Sequence, residues 1–66
     1  MKILINGKTR EFEESKTITG LVAELALEPK MVLIEHNGIA LHRSEWTNCL
    51  LSEGDRIEIL QVAAGG

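Results

Sequence analysis

Only one long stretch of this chain carries the period of a helix. Ile18, Leu21, Val22 and Leu25 stand at i, i+3, i+4 and i+7, a single apolar stripe. On either side the apolar residues follow strand patterns, and Asn6-Gly7 and Asn37-Gly38 supply two type I′ hairpin signals. A chain of 66 residues with one helix has few ways to bury a sheet. The helix must lie across one face of a single mixed sheet, because nothing else can cover it. The expected order is β-β-α-β-β-β, an α+β fold over one domain, residues 1–66. A chain of this length buries only about 60% of the surface its unfolded form exposes. That leaves no room for both a catalytic cleft and a cofactor domain.

The first strand is Lys2-Ile3-Leu4-Ile5, with Thr9 to Glu14 returning as a polar edge strand. Thr17 is the expected helix N-cap, and Pro29 is expected to end the helix. Gly20 costs roughly 1 kcal/mol against Ala in a helix, which points to close packing there. Met31 to His36 reads as a strand buried on most of its length, and Ile39 to His42 as a short partner strand. Arg43 to Leu51 is irregular or a short helical turn, with Trp46 and Leu50 at i and i+4. Ser52-Glu53-Gly54-Asp55 is turn chemistry, and Arg56 to Val62 is the final strand.

Composition sets limits on function. With 44% hydrophobic and 26% charged residues the chain is an ordinary globular protein. Its net charge is −3 and its seven Lys and Arg are scattered, which argues against a nucleic-acid partner. The longest apolar run, Met31 to Ile34, is far too short for a membrane span. Cys49 is the single cysteine and no signal peptide precedes Asn6-Gly7, so a cytoplasmic location is expected.

Candidate functional residues are few. The chain closes on Ala63-Ala64-Gly65-Gly66, and Gly-Gly has no Cβ to pack and much backbone entropy to lose if ordered. A flexible tail over 63–66 is a thin thread that reaches on the order of 13 Å beyond the sheet and ends in a carboxylate. Alternation in the strands puts Ile3, Ile5, Ile57 and Ile59 toward the helix. Leu4, Leu60 and Val62 fall on the opposite face, a candidate docking patch beside the tail. Cys49 has no basic sequence neighbour and reads as a packing thiol. His36 and His42 lack metal-ligand spacing, so no metal site is expected. Trp46 reads as a core or rim anchor, and Glu53 and Asp55, flanking Gly54, as solvated turn carboxylates. There is no phosphate-cradling glycine loop, so no nucleotide site is expected in this chain.

Several landmarks taken together are specific. They are Ile3-Leu4-Ile5-Asn6-Gly7, Thr17 with Leu21 and Leu25, Asn37-Gly38, Arg43-Ser44-Glu45-Trp46, Glu53 to Ile59, and the terminal Gly65-Gly66. With these the whole chain resembles the ThiS-type sulfur carrier proteins of thiamin biosynthesis, in the ubiquitin-like β-grasp superfamily. Two positions depart from that pattern: His42, where proline is frequent, and His36, where an aliphatic residue is usual. The resemblance implies a carrier and not an enzyme. A ThiF-like adenylating partner, using ATP and magnesium, would activate the Gly66 carboxylate, and a persulfide donor would convert it to a thiocarboxylate. The sulfur would pass to thiazole synthase. Ala63, Ala64, Gly65 and Gly66 would thread into the partner, and no cofactor would be bound by this chain. Two alternatives stay open: a carrier for molybdopterin synthesis or a protein-conjugating modifier on the same fold, and a β-grasp interaction module that is never activated.

Overall fold

Two Asn-Gly turns and a Thr-capped helix set the layout. In the computed structural model, which describes residues 1–62, β1 (Lys2–Ile5) and β2 (Lys8–Glu11) form the first hairpin. Asn6 and Gly7 both have positive φ, 51° and 81°, and Asn37 and Gly38 repeat this at 51° and 85°. Both turns are therefore of the type I′ form whose twist suits a hairpin. Helix α1 (Ile18–Glu24) follows, then a 3₁₀ turn over Pro29–Met31 and the second hairpin, β3 (Val32–His36) with β4 (Ile39–Leu41). A longer 3₁₀ segment, Arg43–Asn48, leads to β5 (Arg56–Gln61).

The five strands make one sheet in the order β2-β1-β5-β3-β4. Only β1 and β5 pair in parallel, with Leu4 beside Arg56 and Ile5 beside Ile57; the other three pairs are antiparallel. The expected element order and the mixed sheet are both found. The last strand thus lies at the centre, and β2, as expected of its polar sequence, lies at an edge.

The helix buries Ile18, Leu21 and Val22 against Ile3, Ile5, Ile34 and Ile57 of the sheet. Each such side chain contributes about 1.5–3 kcal/mol on leaving water. Trp46 joins this core at 4% exposure and anchors the 3₁₀ segment. Leu50 does not pair with it: residues 49–51 run against 16–18, Leu51 turns inward and Leu50 outward.

Several boundaries differ from expectation for identifiable reasons. Regular β2 is shorter than expected, ending at Glu11; Phe12 still exchanges backbone hydrogen bonds with Met1, one rung further along the ladder, and buries its ring in the core. The helix ends at Glu24, well before Pro29. Ala26 adopts φ 57°, its N–H donates to the Ala23 carbonyl, and the Leu27 N–H donates to the Val22 carbonyl. This is a Schellman ending with alanine where glycine is preferred; Pro29 instead opens the following 3₁₀ turn. Thr17 caps the helix as expected, its hydroxyl accepting from the Gly20 N–H at 3.1 Å. A Cβ on Gly20 would meet nothing nearer than Lys16 Cβ at 3.4 Å, so no tight packing requires the glycine.

Candidate functional site

Strand β5 carries the chain from the middle of the sheet toward its C-terminal residues. The Val62 N–H donates to the Met31 carbonyl at 2.8 Å, which extends the β5–β3 ladder one step beyond the strand. On its other side β5 loses β1 at the Asn6-Gly7 turn. There the Asn6 side-chain amide takes the place of a strand, accepting from the Ile59 N–H at 2.7 Å and donating to the Ile59 carbonyl at 3.1 Å. Alternation along an antiparallel ladder turns the Gln61 N–H and C=O away from β3 and toward this open edge. The residues singled out as a threading tail, Ala63, Ala64, Gly65 and Gly66, lie outside the described residues.

The sheet face away from the helix is uncovered. Leu60 is 63% exposed and stands opposite Leu33, 58% exposed, across the β5–β3 ladder. Val62, two residues on, falls on the same face at 46% exposure. Leu4 shares the face but is only half-buried and sits apart, beside Arg56. Leu60 lies four residue steps beyond Arg56 on β5, about 13 Å at 3.3 Å per step. The structure therefore gathers Leu60 and Val62 with Leu33 and leaves Leu4 outside the strip. Leu33 was hidden in the sequence because β3, expected to be buried on most of its length, in fact alternates buried and exposed residues. A hollow of about 390 Å³ lies on this part of the sheet, bordered by Leu33, Glu35, Ala40, Glu58 and Leu60.

A polar cluster closes the opposite end of β5. Asp55 accepts from His36 Nε2 at 2.8 Å, from the Ser52 N–H at 2.8 Å and from Asn37 Nδ2 at 3.1 Å. Asn37 in turn accepts from the Arg56 N–H at 2.8 Å. Asp55 is thus a half-buried hub with a side chain 12% exposed, not the solvated turn carboxylate expected. Glu53 is also engaged, accepting from the Lys2 N–H at 2.9 Å. Burial pushes the Asp55 carboxyl upward, but hydrogen bonds from His36, Ser52 and Asn37 and the His36 charge outweigh it. The group ends below its ordinary value.

His36 reaches Cys49 as well, with Nδ1 3.6 Å from Sγ. Nε2 faces the Asp55 carboxylate, and in the tautomer that carries its proton there Nδ1 can accept from the thiol. Thiol, imidazole and carboxylate stand in the order of an assisted nucleophile. Yet burial, followed by the negative charges of Asp55 and Glu45, pushes the Cys49 thiol up. At neutral pH it is a protonated donor, which suits a packing role. Among the described residues no group of three or more His, Cys, Asp or Glu side chains is placed to hold a metal ion. No helix among them is long and apolar enough to cross a membrane.

A mixed five-stranded sheet of this order, crossed by one helix and ending on a central strand, defines a ubiquitin-like β-grasp domain. The ThiS family model matches residues 3–66, and the chain belongs to the ThiS family. It is similar to the thiamine biosynthesis protein ThiS of Geobacter metallireducens, whose crystal structure superposes with a TM-score of 0.87 at 30% identity, covering 100% of both chains. A solution structure of a thiamine biosynthesis protein from the same organism gives a TM-score of 0.83 at 32% identity, covering 100% of this chain and 88% of that one. A thiazole synthase of Paramagnetospirillum magneticum is 33% identical over 66 residues. That match takes in 100% of this chain but spans only 20% of the synthase. Family and fold together place the chain with the ThiS proteins of thiamine biosynthesis.

Proposed function

We propose that this protein carries sulfur on the carboxylate of Gly66 and delivers it to a thiazole synthase. The observation that carries the reading is the family match running from Ile3 through the terminal Gly65-Gly66. The chemistry has a simple requirement. An α-carboxylate with a pKa near 3.5 is anionic at neutral pH and inert as an acyl donor. A ThiF-like enzyme, with ATP and magnesium, lets this carboxylate attack the α-phosphorus, so that pyrophosphate leaves and an acyl-adenylate forms. A persulfide donor then attacks the acyl carbon and AMP leaves. A second thiol, attacking the donor's sulfur in the resulting acyl disulfide, releases the thiocarboxylate and closes a disulfide on the donor side.

The chain supplies reach and access. Ala63, Ala64, Gly65 and Gly66 follow the last described residue, and four residues of fully extended chain would span on the order of 13 Å. Gly65 and Gly66 bring no side chain into a narrow activating cleft, and the outward-turned Gln61 backbone offers a partner strand its first rung. Leu60 and Val62, with Leu33, provide the surface on which the partner seats. The likeness to one fifth of a thiazole synthase supports that enzyme as the sulfur acceptor. The proposed setting is the cytoplasm.

ATP–pyrophosphate exchange by the cognate adenylating enzyme tests the activation step. Exchange that depends on this chain and disappears when Gly66 is deleted is the expected result. Exchange that survives the deletion overturns the reading.

A further inference from the structure

Beside the Leu33–Leu60 pair, the open face of the sheet holds two carboxylates side by side. Glu35 of β3 and Glu58 of β5 are register partners, both exposed. Because the neighbouring Val62 N–H bonds to Met31, the ladder's alternation makes Glu35 and Glu58 a hydrogen-bonded pair. Their Cα atoms are then about 5.5 Å apart and their side chains project from the same face. Like charges directly opposite are unfavourable in a sheet. Among the described residues the ion pairs are Lys16–Glu24 and His36–Asp55, so neither carboxylate is neutralised. Arg56, two residues along the same face, is not in ion-pair contact with either of them. The two carboxylates also border the apolar hollow of about 390 Å³.

We propose that Glu35 and Glu58 together receive an arginine of the adenylating enzyme, while an adjacent apolar side chain of that enzyme fills the hollow between Leu33, Ala40 and Leu60. The proposal rests on the carrier reading above. Charge complementarity selects the occupant: two parallel carboxylates match the forked N–H groups of one planar guanidinium better than the single point charge of lysine. An apolar seat with a charged rim is the ordinary anatomy of a transient interface. Position agrees, because Val62 lies on this face next to Leu60. Leu60 and Glu58 stand six and eight residues before Gly66, so a partner seated there contacts the chain close in sequence to the carboxylate.

Two opposing expectations make the pair diagnostic. A structural role for Glu35 and Glu58 would make their loss harmful to the free chain. A docking role makes the loss neutral or favourable to the free chain and harmful to the complex. The test measures pyrophosphate exchange against the concentration of the full-length chain for wild type, Glu35→Gln, Glu58→Gln, the double variant, and Glu14→Gln as an exposed control. The expected result is a KM raised about tenfold in the double variant, an unchanged kcat, an unchanged control, and a thermal midpoint equal to or above wild type.

An unchanged KM, or a fall in kcat alone, overturns the proposal while leaving the carrier reading intact. A wild-type chain that supports no exchange overturns the carrier reading, and this proposal with it, before any variant is compared. Two further outcomes overturn the choice of occupant: weakened binding to thiazole synthase alone, or a wild-type dimer in sedimentation that the double variant abolishes.

Discussion

Replacing Asp55 with asparagine tests whether the cluster at the start of β5 holds the hairpin β3–β4 to the central strand. Asp55→Asn conserves shape while removing the negative charge and exchanging one acceptor oxygen for an NH₂ donor. Three donors converge on the carboxylate, at 2.8, 2.8 and 3.1 Å, and the side chain is 12% exposed. An amide offers one acceptor oxygen and turns its own NH₂ toward at least one of those donors. Hydrogen bonds to a charged group contribute about 1.5–3 kcal/mol each, and neutral ones about 0.5–1.5. Allowing for retained bonds and relaxation, the loss is about 2 kcal/mol. In a domain this small 1 kcal/mol moves Tm by about 4–8 °C, so the midpoint at pH 7 falls by about 8–16 °C. The pH dependence fixes the cause. The folded-state pKa of Asp55 lies below its unfolded value, which is about 3.9. The stabilisation is therefore fully present above the unfolded value and is lost as pH falls through the folded one. Thermal melts followed by circular dichroism from pH 7 to pH 2 should show the two proteins converging in acid. A midpoint lowered by less than about 2 °C at pH 7 would refute the reasoning, and so would a gap of constant size down to pH 2.

Three further outcomes follow from other parts of the fold. Ala26→Gly relieves a left-handed alanine at the helix ending and should raise stability by about 1 kcal/mol, read from urea midpoints at constant slope. Gly20→Ala meets only Lys16 Cβ at 3.4 Å and Thr17 Oγ1 at 3.7 Å; it should stabilise by about 0.5–1 kcal/mol in the same assay, and a destabilised variant would mean that a contact there is tighter than described. Cys49, held up in pKa by burial and by Asp55 and Glu45, should react with iodoacetamide with a pH midpoint above that of the urea-denatured chain; a midpoint below it would make the thiol an activated nucleophile.

The parts of this fold that were legible in the sequence are those set by local chemistry. Two consecutive positive φ values at Asn6-Gly7 and Asn37-Gly38 leave few other residue choices. Thr17 announces its cap, and the isoleucines of β1 and β5 announce their buried faces. Features that depend on register were not legible. The run Met31 to Ile34 is apolar throughout, so it cannot display the alternation that leaves Leu33 exposed opposite Leu60. The distance between Leu4 and Leu60 follows from the parallel alignment of β1 on β5, which no local pattern encodes. His36, Cys49 and Asp55 meet because β3 pairs with β5 and the 3₁₀ segment folds back along α1. Asp55 therefore looked like one more turn carboxylate. Ala26 gave no sign that the helix stops before it, since alanine is the residue least associated with a helix end. For the candidate site, the Leu60–Val62 face was legible from alternation, whereas Leu33 and the Glu35–Glu58 pair needed the neighbouring strand.

Intact mass spectrometry of the chain, incubated with ATP, the persulfide donor and the cognate adenylating enzyme, tests the central claim most directly. The expected result is exchange of one oxygen for sulfur, located to Gly66 by fragmentation and reversed when thiazole synthase and its substrates are added. A chain that stays unmodified with its cognate partner, or an isopeptide bond to a lysine in place of the thiocarboxylate, would contradict sulfur carriage.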